Sequence, residues 1–200
     1  FRKEIVELKG YQPSAFGAAL SSVDLTHSGS HALLANGMGL FIWSLNSNFK
    51  NKPIQKDNKF KGCSSAMFID EERICCISDK KVKIYNFKTD SIEHESEELT
   101  GYFFLKHANT DTKKIVLTSV NEIKIYSTKT LDLLHSFESP VKEPITVTIH
   151  PTKERMIIAG NSHAAIECDF NGQKTGNYEH DEAMYLPICL YDKNGDVFGI

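Results

Sequence analysis

The chain has 200 residues, 40% of them apolar and 24% charged, with a net charge of −3. That is the make-up of a globular protein with a real hydrophobic core, and it excludes a generally basic nucleic-acid binder. Its apolar runs are too short to span a bilayer as a helix, and Phe1-Arg2-Lys3-Glu4 offers neither signal peptide nor initiator Met, so a longer parent chain is expected.

The first predicted element, Glu4 to Leu8, reads as an outer strand belonging to a neighbouring unit. Val23 to Thr26 follows as a strand, then the turn His27 to Ser30, the apolar run Ala32 to Ala35, and the alternating strand Gly39 to Leu45. Ala35-Asn36-Gly37-Met38-Gly39 between the last two reads as a hairpin turn rather than a phosphate loop. The same sequence of elements recurs. Ala66 to Ile69, Ile74 to Ile77 and Lys81 to Phe87 make a second unit; Tyr102 to Leu105, Ile115 to Leu117 and Glu122 to Thr128 a third; Val147 to His150, Met156 to Ala159 and His163 to Asp169 a fourth. Outer strands are predicted at Ser91 to His94, Asp132 to Phe137 and Thr175 to Tyr178. Ile188 to Tyr191 and Val197 to Ile200 begin a fifth unit around the turn Asp192 to Asp196.

The register of this repeat hangs on the central isoleucines Ile42, Ile84, Ile125 and Ile166, spaced 42, 41 and 41 residues apart. Eight residues upstream of each lie Leu34, Cys76, Leu117 and Ile158, and six upstream lie the turn-forming Asn36, Ser78, Ser119 and Gly160. A unit of about 41 residues with four short strands is the arithmetic of a propeller blade. No segment has helical periodicity with caps.

Ile149 to Gly160 resembles the second strand, turn and third strand of the WD40 repeat family, and Gly39 to Leu45 resembles its apolar strand ending in Trp. The similarity covers roughly residues 14 to 180. The Trp-Asp position reads Trp43-Ser44, Tyr85-Asn86, Tyr126-Ser127 and Glu167-Cys168, and Gly-His dipeptides are absent, so the family's polar network is not carried over. The resemblance implies an all-β fold: a partial β-propeller of about four to five four-stranded WD40-like blades, one portion over residues 1–200. The units run over about 14–58, 62–100, 101–142 and 143–180, with a further blade starting at 185–200, and the missing blades are expected elsewhere in the parent chain.

Nothing in the sequence carries catalytic spacing. His27, His31, His94, His107, His135, His150, His163 and His180 form no metal-ligand motif, and His27 and His150 fall at equivalent turns, where hydrogen bonding is the expected role. Cys63, Cys75, Cys76, Cys168 and Cys189 show no C-x-x-C spacing and read as reduced thiols, Cys75-Cys76 as two small core residues on opposite strand faces. Cys63-Ser64-Ser65 has no base partner, and the carboxylates Glu71-Glu72 and Asp181-Glu182 read as solvated loop charge. No metal, no cofactor, no small-molecule substrate and no membrane attachment are expected, and no enzyme.

Two charged stretches stand out. Lys50, Lys52, Lys56, Lys59 and Lys61 crowd the loop after the first unit, a candidate contact for RNA or a protein partner through phosphate neutralisation. Glu93, Glu95, Glu97 and Glu98 follow the second unit, a candidate contact for a basic partner. Degenerate blades with a lysine-rich loop resemble the propeller subunits of the nucleolar small-subunit ribosome-assembly machinery. That implies a non-catalytic scaffold among the other proteins of a multisubunit intracellular complex, in ribosome biogenesis and pre-rRNA processing, nuclear or nucleolar rather than cytoplasmic. The rival is a peptide or substrate receptor of a ubiquitin-ligase or coat complex; a propeller enzyme ranks behind both.

Overall fold

Alternating apolar segments of four to six residues separated by turn formers leave the backbone one way to satisfy its hydrogen bonds, which is to pair neighbour with neighbour. A computed structural model describes residues 20–37, 39–45, 54–55, 60, 62–109, 111–161, 164–179, 190–191 and 194–198. Among them there are strands and no helix. The first sheet holds β1 (Leu20–Leu25), β2 (His31–Asn36), β3 (Gly39–Ser44) and β4 (Ile54–Gln55); the second holds β5 (Ser65–Phe68), β6 (Arg73–Ser78), β7 (Lys81–Asn86) and β8 (Ser91–Glu95). The third holds β9 (Phe104–Asn109), β10 (Lys114–Thr118), β11 (Glu122–Ser127) and β12 (Leu133–Glu138); the fourth holds β13 (Pro144–Ile149), β14 (Arg155–Gly160), β15 (Ala164–Asp169) and β16 (Lys174–Glu179). A two-stranded sheet, β17 (Leu190–Tyr191) and β18 (Val197–Phe198), follows. Every sheet is an antiparallel meander with strands in chain order. The predicted strand at 4–8 lies outside the described residues.

Turn chemistry explains the hairpins. Between β6 and β7, Asp79 and Lys80 both take positive φ (53° and 59°), the type I′ turn that matches strand twist. The hairpins to the outer strands are closed by side chains. Asn86 Oδ1 accepts from the Lys88 and Thr89 N–H groups, Ser127 Oγ from Lys129 and Thr130, and Asp169 Oδ1 from Asn171 and Gln173.

The chain groups into two compact units, Phe1–Glu98 and Leu99–Ile200. In the first, Leu33, Ala35, Leu40 and Ile42 of the first sheet share a core with Ala66, Phe68, Ile74, Cys76, Tyr85 and Phe87 of the second. The inner strands β1 and β5 lie side by side. Among the described residues β5 pairs with β6 alone, so its other edge needs acceptors. β1 supplies them: Ser22 Oγ accepts from Ala66 N–H and Asp24 Oδ2 from Phe68 N–H, both at 2.8 Å. At the turns, Glu71 accepts from Ser28 N–H (2.8 Å), Ser28 Oγ (2.6 Å) and Ser30 Oγ (3.0 Å). Those donors hold its carboxyl down to about 2. Glu71 therefore ties two turns together and is not merely solvated loop charge.

In the second unit, Val116, Ile123 and Ile125 of the third sheet pack on Val147, Ile149, Met156, Ile158 and Ile166 of the fourth. The opposite face of the fourth sheet, with Ile157, Ala159 and Ala165, meets Tyr191 of β17. The inner strands again adjoin, β9 beside β13 and β13 beside β17.

Two sequence expectations need correction. The inner strand of the third unit runs Phe104–Asn109, not Tyr102 to Leu105. Tyr102 is 92% exposed and Phe104 54%, so that aromatic cluster is largely surface, and the buried positions are Phe103, Leu105 and Ala108. The second correction concerns Ile166. Leu33 pairs with Ile42, Cys75 with Ile84 and Val116 with Ile125, always nine residues on. In the fourth sheet Ile157 pairs with Glu167, ten residues on. The hairpin between β14 and β15 holds one residue more, and a one-residue slip turns a strand over. Glu167 therefore occupies the position of the other central isoleucines, while Ile166 faces the third sheet.

A buried carboxylate needs partners. Tyr191 OH (2.8 Å) and Thr175 Oγ1 (3.1 Å) donate to Glu167, and Arg155 Nη1 lies 3.6 Å away. Its cross-strand neighbour is Gly176, where an added Cβ would stand 3.2 Å from Glu167 Oε2. The Tyr191 ring also packs on His150 at 4.9 Å. Through Tyr191 the two-stranded sheet is latched to the fourth.

Burial drives His31, His107 and His150 toward the neutral form, His107 down to about 4. Unfolded, each titrates near 6.5. The unfolded chain then binds more protons below that value, so stability is full above pH 6.5 and drains as pH falls toward 4. Urea midpoints are expected to drop across that window and the drop to shrink in His107→Gln; a flat profile would contradict the burial of these rings. Loss of Glu71's contribution lies lower, between about 4.5 and 2, and is separable.

Candidate functional site

The described residues contain no group of three or more His, Cys, Asp or Glu side chains that could hold a metal ion. Cys63, Cys75, Cys76 and Cys168 are buried free thiols. Burial raises Cys75, and pushes Cys168 up to about 12, away from the thiolate a nucleophile needs. Cys189 lies outside the described residues. His150 serves its turn: Nδ1 accepts from the Thr152 and Lys153 N–H groups, both at 3.1 Å.

The lysine stretch Lys50, Lys52, Lys56, Lys59 and Lys61 lies outside the described residues. The acidic stretch lies on β8 and the segment after it, where the chain's own cations meet most of it. Glu93 faces Arg73 (4.0 Å) and accepts from Asn86 (2.9 Å); Glu95 pairs with Lys81 (2.6 Å) and Lys83 (3.7 Å); Glu98 pairs with Lys80 (3.3 Å). Glu97 is exposed. Lys83 is the buried member, its side chain 7% exposed and also 3.1 Å from Asp79. Glu95 and Asp79 thus neutralise a buried ammonium.

A groove of about 280 Å³ opens in the second unit between the starts of β9 and β13. One wall is Phe104 and Lys106 of β9 with Ser119 and Val120 of the β10–β11 hairpin; the other is Glu143, Pro144 and Ile145, with Asn161. Local chemistry sets each wall. Ser119 N–H donates to the Glu122 carbonyl (2.8 Å), and its hydroxyl accepts from Glu122 N–H (3.0 Å). That tight turn thrusts Val120 outward, 58% exposed. Pro144 opens β13, where a missing N–H costs no ladder bond. Both strands carry a bulge here. Val116 pairs with His107 and Leu117 with Leu105, leaving Lys106 as the extra residue; Gly160 pairs with Pro144 and Ala159 with Thr146, leaving Ile145. Bulges re-aim side chains, and these two deliver Lys106 and Ile145 to the groove.

Electrostatically the groove is uneven. Lys106 is half-buried, burial lowers its pKa, and its Nζ stands 5.4 Å from the Phe104 ring centroid. Among the described residues it has no carboxylate partner. Across the groove, Glu143 Oε2 accepts from Asn161 Nδ2 at 3.4 Å. The described lining has apolar walls and two opposite charges, and among the described residues it brings no nucleophile and base together. The sequence pattern places Phe104 in a strand from Tyr102 to Leu105 and does not say which side its ring takes. The one available signal was Lys106, a cation breaking the apolar run.

The Glu143 wall depends on Gly160. A Cβ there would lie 2.5 Å from the Lys142 carbonyl oxygen and 2.7 Å from that of Glu143, backbone atoms with little room to yield. Glu143 itself sits at φ 50°. Gly160→Ala is expected to cost about 1–3 kcal/mol in urea unfolding, and no loss would contradict this close approach. Compared with protein-family models and with curated proteins, the chain matches none.

Proposed function

We propose that this chain is a portion of a WD40-like β-propeller acting as a non-catalytic interaction scaffold in a large intracellular complex. The observation that carries the reading is the repeat itself. Four meanders of four strands share one strand order, and within each unit the inner strands adjoin and sheet faces pack on one another. Radial repetition of such sheets is how a propeller is built, and rigid sheets with variable turns are a platform for partners. Fold alone names no partner. The setting implied by the resemblance is small-subunit ribosome assembly in the nucleolus, with the lysine-rich stretch from Lys50 to Lys61 on RNA.

A second reading, a peptide receptor, is favoured by one observation, the groove beside Lys106. The experiment is purification of the parent protein with its partners, with and without nuclease. A multisubunit set is expected, and its loss on RNase treatment would tie assembly to RNA. Replacing the five loop lysines with Ser should weaken that association. A protein that purifies alone and carries hydrolytic activity would contradict the scaffold reading.

A further inference from the structure

We infer that the groove between β9 and β13 takes an extended segment of a partner protein in which an apolar or aromatic side chain sits beside a carboxylate. The inference rests on the scaffold reading and assigns it a site and a ligand chemistry.

Three observations carry it. The first is exposed apolar surface at one place: Phe104 at 54% and Val120 at 58% both line the groove. Single exposed apolar residues are ordinary, but clustering around a concavity marks a contact site. The second is Lys106. Its half-buried ammonium stands 5.4 Å from the Phe104 ring centroid and pairs with no carboxylate among the described residues, so an incoming carboxylate would supply a counter-charge. The third is the pair of bulges, which aim Lys106 and Ile145 at the same space from two different strands.

Nucleic acid fits less well. Each nucleotide brings a phosphate, and affinity there grows with the number of cations that neutralise phosphates. Among the described residues Lys106 is the sole cation on the groove's walls, and Glu143 adds a carboxylate to the same lining. A peptide needs one anionic side chain for Lys106 and an apolar one for the walls.

The test is selection of random octapeptides displayed on phage against the full chain. Enriched sequences are expected to place Asp or Glu next to Phe, Tyr, Leu or Ile. Their binding should fall at least tenfold in Phe104→Asp and Lys106→Glu, and Lys106→Glu should shift the preference to Lys- or Arg-containing peptides. Lys106→Met, which keeps the apolar stem, should lose the acidic preference while still folding by circular dichroism. No enrichment, enrichment without acidic residues, equal binding to the variants, or an octauridine probe lost in the same variants would each overturn the inference. In the partner purification, a full partner set retained by the Lys106→Glu parent sinks the groove but not the scaffold. A wild-type parent without partners sinks the scaffold.

Discussion

Burial of both faces of the middle strands is the constraint on which the rest of this structure depends. β6 and β7 are buried at five successive residues each, and β14 likewise, whereas the outer strands β8, β12 and β16 are exposed or half-buried throughout. A strand buried on both faces reads as a near-continuous apolar run and needs a covering layer on each side. A meander of this kind cannot stand alone. The fourth sheet shows the consequence, packed by the third sheet on one face and by Tyr191 on the other. Stacking then decides where polar chemistry is permitted: at strand edges, at turns, and wherever a buried charge finds partners.

Each of those places is used. Asp24 and Ser22 satisfy the free edge of β5, and Asp24 bears a desolvation cost that raises its pKa. Glu71 joins two turns. Glu167 stands where the other sheets carry isoleucine, and the three groups around it make that position a latch for β17. Those partners offset the cost of burying the charge, and through Tyr191 they tie the fourth sheet to β17. The groove at Lys106 differs from all of these. Its ammonium has no such partner among the described residues and lines an open groove, whereas Lys83 and Glu167 are tied to groups of the fold.

Much of the architecture was legible in the sequence. The spacing of Ile42, Ile84 and Ile125 located three third strands, and Asn36, Ser78, Ser119 and Gly160 marked the hairpins, because apolar strand runs and turn chemistry are local properties. The slip at Ile166 was not legible. Ile166 and Glu167 are adjacent, apolarity favoured Ile166, and only the length of the β14–β15 hairpin decides between them. The aromatic run from Tyr102 to Phe104 misled for the same reason, since apolar character does not say which side of a bulged strand a ring takes. The groove was illegible because its walls come from segments some forty residues apart.

Residue-resolved hydrogen exchange on the full chain tests the stacked-meander account most directly. The slowest amides are expected on the middle strand pairs β2–β3, β6–β7, β10–β11 and β14–β15, at similar rates in all four sheets. Ala66 and Phe68 should be protected although they lie on an edge, and Asp24→Ala should release Phe68. Protection confined to one sheet, or fast exchange at Phe68 in the unsubstituted chain, would contradict it.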